Sequence, residues 1–218
     1  MARNKHPEET VNLILDVASR LFMEKGYEHT SIQDIINHLG GLSKGAIYHH
    51  FSSKEEIFER ICGQIGEANS ARLAVIRDDK HLNGREKLKE IFRSSLLHPN
   101  QETVLRIIPY LLDNPRFLAI EIRDILNLVA PEFIQPILDE GVADGSIQVE
   151  NTRATAEVLL LMIDIWVNPM IQPSTPEEVR ERCRVFMTMT HAIGLDILDE
   201  EMIEVFVNYS RMRHSLPE

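Results

Sequence analysis

Apolar residues recur at spacings of three and four along most of this chain, which predicts an all-α protein. The first such stripe runs from Val11 to Phe22. It follows Pro7, which suits a first helical turn, and precedes Gly26, which suits a helix end, so it predicts one helix over residues 7–25. Val158 to Val167 is apolar on nearly every side, and such helices are buried on every side. We find no stretch that alternates as a half-buried strand does.

Two short helices and the start of a long third are predicted between Thr30 and Phe58. Thr30 is expected to cap the first, with Gln33 completing a capping box. Gly40 and Gly41 are expected to end it, because glycine adopts the left-handed conformation at little cost.

Ser43 is expected to cap the second short helix, in which Ile47 and Phe51 point inward. Ser53 with Glu56 is expected to cap the long helix from Lys54. Two short helices about a glycine turn form a helix-turn-helix, whose second helix can enter a DNA major groove.

This stretch resembles the DNA-binding segment of the TetR family of bacterial transcriptional regulators. The similarity covers the first 60 residues and is carried by Ala18, Leu21-Phe22, Glu24-Lys25-Gly26-Tyr27, Thr30, Ile32, Asp34, Ile35, Leu42-Ser43-Lys44-Gly45-Ala46-Ile47-Tyr48-His49-His50-Phe51 and Ser53-Lys54-Glu55-Glu56. Between Ile35 and Ser43 the chain has one residue more than most members, a departure that bears on the tilt of the second helix.

The resemblance implies a three-helix DNA-binding head over residues 1–53 and a larger helical domain over residues 54–218 for effector binding and dimerisation. In the family, two penultimate helices form a four-helix dimer bundle, a place that Glu157–Met170 and Val179–Ile193 occupy here. The expected function is that of a homodimeric repressor that binds a palindromic operator in double-stranded DNA and responds to a small molecule. No cofactor, catalytic residue or metal site is expected.

The predicted DNA contacts lie on the two short helices and at the start of the long one. Gly45 and Ala46 lack bulk, so they would let the helix approach base edges. The full set is Thr30, Ser31, Ser43, Lys44, Gly45, Ala46, Tyr48, His49, His50 and Lys54.

The formal net charge of −11 argues at first against DNA binding. Residues 1–60, however, hold seven Lys and Arg and nine Asp and Glu, so most of the excess acid lies in the remainder. The local patch decides phosphate attraction, and few basic groups predict a shallow salt dependence.

A ligand pocket is predicted in the larger domain, where apolar side chains alternate with a few polar ones. Asp164 and Trp166 are its best candidates, because a carboxylate among apolar neighbours requires a partner. The candidate ligand-binding residues are Phe92, His98, Arg106, Tyr110, Met162, Asp164 and Trp166.

Three alternatives stay open. An activator or adaptor would keep the helix-turn-helix and lack an effector. Gly41-Leu42-Ser43-Lys44-Gly45 fits the G-x-S-x-G pattern of serine hydrolases, but that motif needs a preceding strand. His29, His38, His49 and His50 could suggest a metal site, but their spacing matches no standard ligand set.

Two further features predict a cytoplasmic protein. No apolar run reaches the length of a membrane span, and the N-terminus does not read as a signal peptide. Cys62 and Cys183 are far apart in helical patterns, which favours reduced thiols over a disulfide. Elsewhere, Asn83-Gly84 is predicted to lie in a loop, and Gly141 with Gly145 to end a helix.

Overall fold

A computed structural model describes residues 7–40, 44–97 and 115–215 of the chain. Contacts divide it into two compact units, residues 1–68 and 69–218. The described residues form helices and no strand, so the predicted all-α class is confirmed. Within them, no helix is both long and apolar enough to cross a membrane. The predicted functional boundary at residue 54 stays a prediction, because one helix runs through both units.

The described part of the first unit forms three helices and the beginning of a fourth. They are α1 (Pro7–Lys25), α2 (Ile32–Asn37), α3 (Lys44–His50) and α4 (Lys54–Asp78). The predicted helix over residues 7–25 is confirmed, and Gly26 follows it with φ of +83°. Gly40 follows α2 with φ of +62°, as a glycine at a helix end should.

The core of the first unit is built around three aromatic rings. The ring centroids of Phe22 and Tyr27 are 5.2 Å apart, those of Tyr27 and Phe58 are 5.2 Å apart, and those of Phe22 and Phe58 are 5.8 Å apart. Fully buried Ile35 and Ile47 come from α2 and α3. Burial of each large apolar side chain is worth roughly 1.5–3 kcal/mol, so every helix of the unit contributes to one core.

The second unit continues from α4 with α5 (Gly84–Leu96), α6 (Pro115–Asp124), α7 (Gln135–Asp144), α8 (Thr152–Leu160), α9 (Pro176–Ala192) and α10 (Glu200–Ser215). Asn83, Asn151 and Thr175 cap α5, α8 and α9 through their side-chain oxygens. Asn83-Gly84, predicted as loop, is therefore the beginning of a helix.

Two helical stretches of the second unit are wound more widely than an α-helix. The π-helical segment π1 (Ile125–Ile134) joins α6 to α7, and π2 (Leu161–Val167) continues α8. Pro131 lies inside π1, where it removes one backbone donor. The chain accommodates this proline by widened turns rather than by a break in the helix.

Gly145 ends α7 in the left-handed conformation, with φ of +78°. Gly141, which was predicted to share that role, instead lies buried within α7. It packs against Gly84 at the start of α5, and the absence of both side chains permits this approach.

Candidate nucleic-acid interface

The entry into α2 differs from its prediction by one residue. Ser31, not Thr30, is the N-cap: its hydroxyl accepts the Asp34 N–H at 3.1 Å, and the Asp34 carboxylate accepts the Ser31 N–H at 2.9 Å. This capping box uses Asp34 in place of Gln33. Hydrogen bonds from Ser31, together with nearby Lys25, hold the pKa of Asp34 below its usual value.

Thr30 has a structural role instead. Its side chain is 1% exposed, and its hydroxyl donates to the carbonyl oxygen of Gly26 at 2.8 Å and to that of Leu21 at 3.3 Å. These bonds tie the start of α2 to the end of α1. A buried hydroxyl that is already used in this way cannot contact DNA, so we leave Thr30 out of the proposed contact set.

Helix α3 has a buried face and an exposed face. Ile47 is fully buried and Phe51, just after the helix, is 5% exposed, as predicted. On the other side, Lys44, Gly45 and His49 are exposed, and Tyr48 is 47% exposed. Tyr48 therefore lies on the solvent-facing side of this seven-residue helix, opposite the core.

The polar groups of the exposed face lie close together. The Lys44 ammonium is 5.7 Å from the centroid of the Tyr48 ring, and the rings of His49 and His50 are 5.0 Å apart. His50 is half-buried. Ala46 belongs to α3, and Ser43 lies outside the described residues. An ammonium group, a phenol and imidazoles on one short helix can donate hydrogen bonds to phosphate and to base edges.

The start of α4 is capped by two consecutive serines. Ser53 Oγ accepts the Glu56 N–H at 3.2 Å, as predicted. The Glu56 carboxylate returns to Ser52, accepting its N–H at 2.6 Å and its hydroxyl at 2.7 Å, rather than to Ser53. These bonds keep the pKa of Glu56 below its usual value.

Lys54, predicted as a DNA contact, is half-buried and directed toward the protein. Its ammonium donates to the Tyr27 carbonyl oxygen at 2.8 Å and lies 4.0 Å from the centroid of the Tyr27 ring. Burial, aided by the nearby Glu55 carboxylate, raises the pKa of the Tyr27 hydroxyl above its usual value, so this phenol stays neutral.

The second unit contains the described members of the predicted ligand pocket. Phe92 is buried at 4% exposure, and Met162 and Trp166 are half-buried against the same core cluster. Asp164 lies with Met162 and Trp166 on π2 and is half-buried. His98, Arg106 and Tyr110 lie outside the described residues.

Within the part of the chain that the structure describes, only burial and the Glu121 carboxylate act on the Asp164 carboxyl, and no hydrogen bond does. Burial, with a smaller contribution from the Glu121 carboxylate, raises the pKa of Asp164 to about 7. Burial also raises the pKa of Glu121, with Asp124 adding repulsion, although part of the Glu121 surface remains open. We did not predict Glu121, and its position within the apolar run FLAIEIRDIL was the available signal.

A separate open groove of about 680 Å³ lies on the second unit. It is lined by Val75, Ile76, Asp79, Leu82, Glu86, Lys89, Glu90, Arg93 and Asp199. Of the predicted pocket residues that the structure describes, none lines this groove. Across the described ranges, no three His, Cys, Asp or Glu side chains are placed to hold a metal ion.

A buried three-helix core that holds a short helix with one polar, exposed face defines a helix-turn-helix DNA-binding protein. Comparison with known proteins gives the family. The family described as "Bacterial regulatory proteins, tetR family" matches residues 14–61, which span α1 to the start of α4. Residues 14–61 therefore carry the DNA-binding segment of this family.

Similar proteins include regulators from several bacteria. The HTH-type transcriptional repressor KstR2 of Mycolicibacterium smegmatis is 33% identical over 138 residues, covering 61% of this chain and 65% of that protein. The repressor AcnR of Corynebacterium diphtheriae is 35% identical over 108 residues, covering 48% and 51%. The matches thus span less than two-thirds of these relatives' lengths.

Among solved structures, a TetR/AcrR-family transcriptional regulator from Thermobifida fusca is similar with a TM-score of 0.59 and 26% identity. That similarity covers 83% of this chain and 97% of the other. It therefore extends through both units, whereas the family match is confined to the first.

Proposed function

We propose that this protein is a homodimeric transcriptional repressor that binds a palindromic operator and releases it when a small molecule occupies the second unit. The observation that carries the proposal is the exposed face of α3, where Lys44 and Tyr48 lie opposite buried Ile47. The KstR2 and AcnR relatives are named as repressors, and this supports repression over activation.

On DNA, α3 is the recognition helix. Gly45 and Ala46 leave room for close approach, and Tyr48 and His49 extend toward bases and backbone. Lys44, Ser43 and His50 would bind phosphate, as would Ser31 at the N-terminus of α2. Phosphate contacts would fix the position of α3, and base contacts would select the sequence.

A second copy of the chain would complete the DNA-binding unit. Val158 on α8 is 50% exposed, and Val185 and Met189 on α9 are 46% and 50% exposed. The complete burial predicted for 158–167 is therefore not reached within one chain. Pairing α8, π2 and α9 with the same surface of another copy would cover these side chains and provide two recognition helices for the two halves of a palindrome.

The proposed effector site includes Asp164, because a half-buried carboxyl without a described partner favours a ligand that donates a hydrogen bond to it. Phe92, Met162 and Trp166 are the proposed apolar members, and His98, Arg106 and Tyr110 stay predictions. The ligand would favour a conformation whose recognition helices no longer match the operator spacing, to the extent that it binds that conformation more tightly.

Selection of bound duplexes from a random DNA library, using the full chain, tests this function. An inverted repeat with half-sites about 34–36 Å apart is expected for a two-fold symmetric dimer. A single unrepeated site would contradict the dimeric arrangement. Failure to enrich any sequence would contradict operator binding itself.

The alternative functions predict other observations. An activator or adaptor without an effector would show no small molecule that changes operator affinity. A hydrolase would need a strand before residues 41–45, and helix α2 stands there instead. This favours a regulator over an enzyme.

A further inference from the structure

The first residue of α4 is connected to the entry of the helix-turn-helix through one carbonyl group. The Tyr27 carbonyl oxygen accepts the Lys54 ammonium at 2.8 Å and the Thr30 N–H at 3.2 Å. Thr30 directly precedes Ser31, the N-cap of α2. A displacement of Lys54 therefore acts on the backbone that starts α2.

The Tyr27 ring holds the Lys54 ammonium in this place. The ammonium lies 4.0 Å from the ring centroid, within the range of a cation–π interaction. The same ring packs against Phe22 of α1 and Phe58 of α4, so its orientation is fixed from two helices.

We propose that Lys54 is a positioning residue for operator recognition, acting through the ring and the carbonyl of Tyr27 to set α4 against the helix-turn-helix. This role concerns how tightly the helix-turn-helix binds DNA, and it rests on the proposed function. It differs from the assignment of Lys54 as a direct phosphate ligand, because half-buried Lys54 is directed at protein atoms.

The two assignments predict different results in a double-mutant cycle. Lys54→Met removes the charge and keeps an apolar stem, and Tyr27→Leu removes the ring and keeps the backbone carbonyl. Two matched controls keep the contact: Lys54→Arg retains a cation, and Tyr27→Phe retains the ring. Binding of the full chain to the selected duplex would be measured by fluorescence anisotropy at several salt concentrations.

If Lys54 acts through Tyr27, each disruptive variant weakens binding by about 2- to 30-fold, which corresponds to the range of cation–π strengths. The double variant then binds DNA with about the same affinity as whichever single variant binds less tightly. The slope of log K against log salt stays unchanged, and both control variants bind as the unchanged chain does.

A direct phosphate contact would give another outcome. Lys54→Met would then weaken binding by the same factor in the unchanged chain and in the Tyr27→Leu variant. The magnitude of the slope of log K against log salt would also fall by about one. Additive losses with a lower slope would overturn the proposal.

Hydrogen exchange of the free full chain provides a readout that needs no DNA. Faster exchange of the Thr30 amide is expected in Lys54→Met and in Tyr27→Leu, and not in the two controls. Unchanged exchange in both disruptive variants would overturn the proposal. If the disruptive variants show the faster exchange but the unchanged chain binds no duplex, the proposed function is refuted, whereas the contact between Lys54 and Tyr27 stays supported.

Discussion

A Cβ atom placed on Gly84 would lie 2.3 Å from the Cα atom of Gly141, so α5 and α7 meet through their backbones. The Lys87 ammonium, one turn along α5, donates to both carboxylate oxygens of Glu140 at 2.7 and 2.6 Å. The close glycine contact and this ion pair together fix how the two helices lie in the second unit.

Gly84→Ala is therefore expected to destabilise the second unit. The added methyl group would meet rigid backbone, and overpacking of this kind costs about 1–3 kcal/mol or more. The measurement is urea unfolding followed by circular dichroism. Gly63→Ala is the matched control: a Cβ atom there meets nothing within 4 Å, so the change should be stabilising by about 0.5–1 kcal/mol. Equal stability of the two variants would contradict the contact.

Replacement of Lys44 and Tyr48 together by alanine should weaken operator binding by more than about tenfold, because it removes a phosphate ligand and an exposed aromatic contact. Both side chains are exposed, so the thermal unfolding midpoint should stay nearly constant. Lys80→Ala removes one exposed charge from the second unit and serves as the control for net charge. Undiminished binding by the double variant would refute the proposed recognition face.

Asp164 is expected to make stability fall as pH rises. Its pKa is about 7 in the folded chain against a usual 3.8, so between these values the folded state binds more protons than the unfolded state. The loss begins near pH 4 and is complete above about pH 7.

Asp164→Asn removes this penalty, so the variant should exceed the unchanged chain in unfolding free energy by about 1–3 kcal/mol at pH 8, with the difference vanishing toward pH 4. Urea titrations across that pH range provide the measurement. Glu150→Gln, at an exposed position, controls for the loss of one negative charge. A pH-independent difference for Asp164→Asn would show that this carboxyl does not titrate as argued.

The combined substitutions Val158→Asp and Met189→Asp should convert the proposed dimer into a monomer, because each new charge would be buried at the paired surface. Light scattering coupled to size-exclusion chromatography would give the mass in solution. Operator affinity should fall when the dimer is lost. Val142→Asp, at an apolar position of α7 that is 44% exposed, is the matched control and should leave the mass unchanged. Loss of the dimer in Val142→Asp alone would place the interface elsewhere.

The all-α class and the inward side of α3 could be predicted from the amino-acid pattern alone. Apolar spacing and glycine positions gave the bounds of α1 and the inward side of α3, since both follow from local periodicity and backbone conformation. The sequence also indicated Asp164 as a candidate ligand-binding residue, because a lone charge in an apolar run is visible without coordinates.

Which of two adjacent hydroxyls caps α2 depends on a tertiary contact, because the Thr30 hydroxyl donates to carbonyl groups at the end of α1. Tertiary packing also directs Lys54 toward Tyr27 and places Gly84 against Gly141, and the residues of each pair are far apart in sequence. Such contacts depend on where separate helices meet, and periodicity along one helix carries no information about that distance.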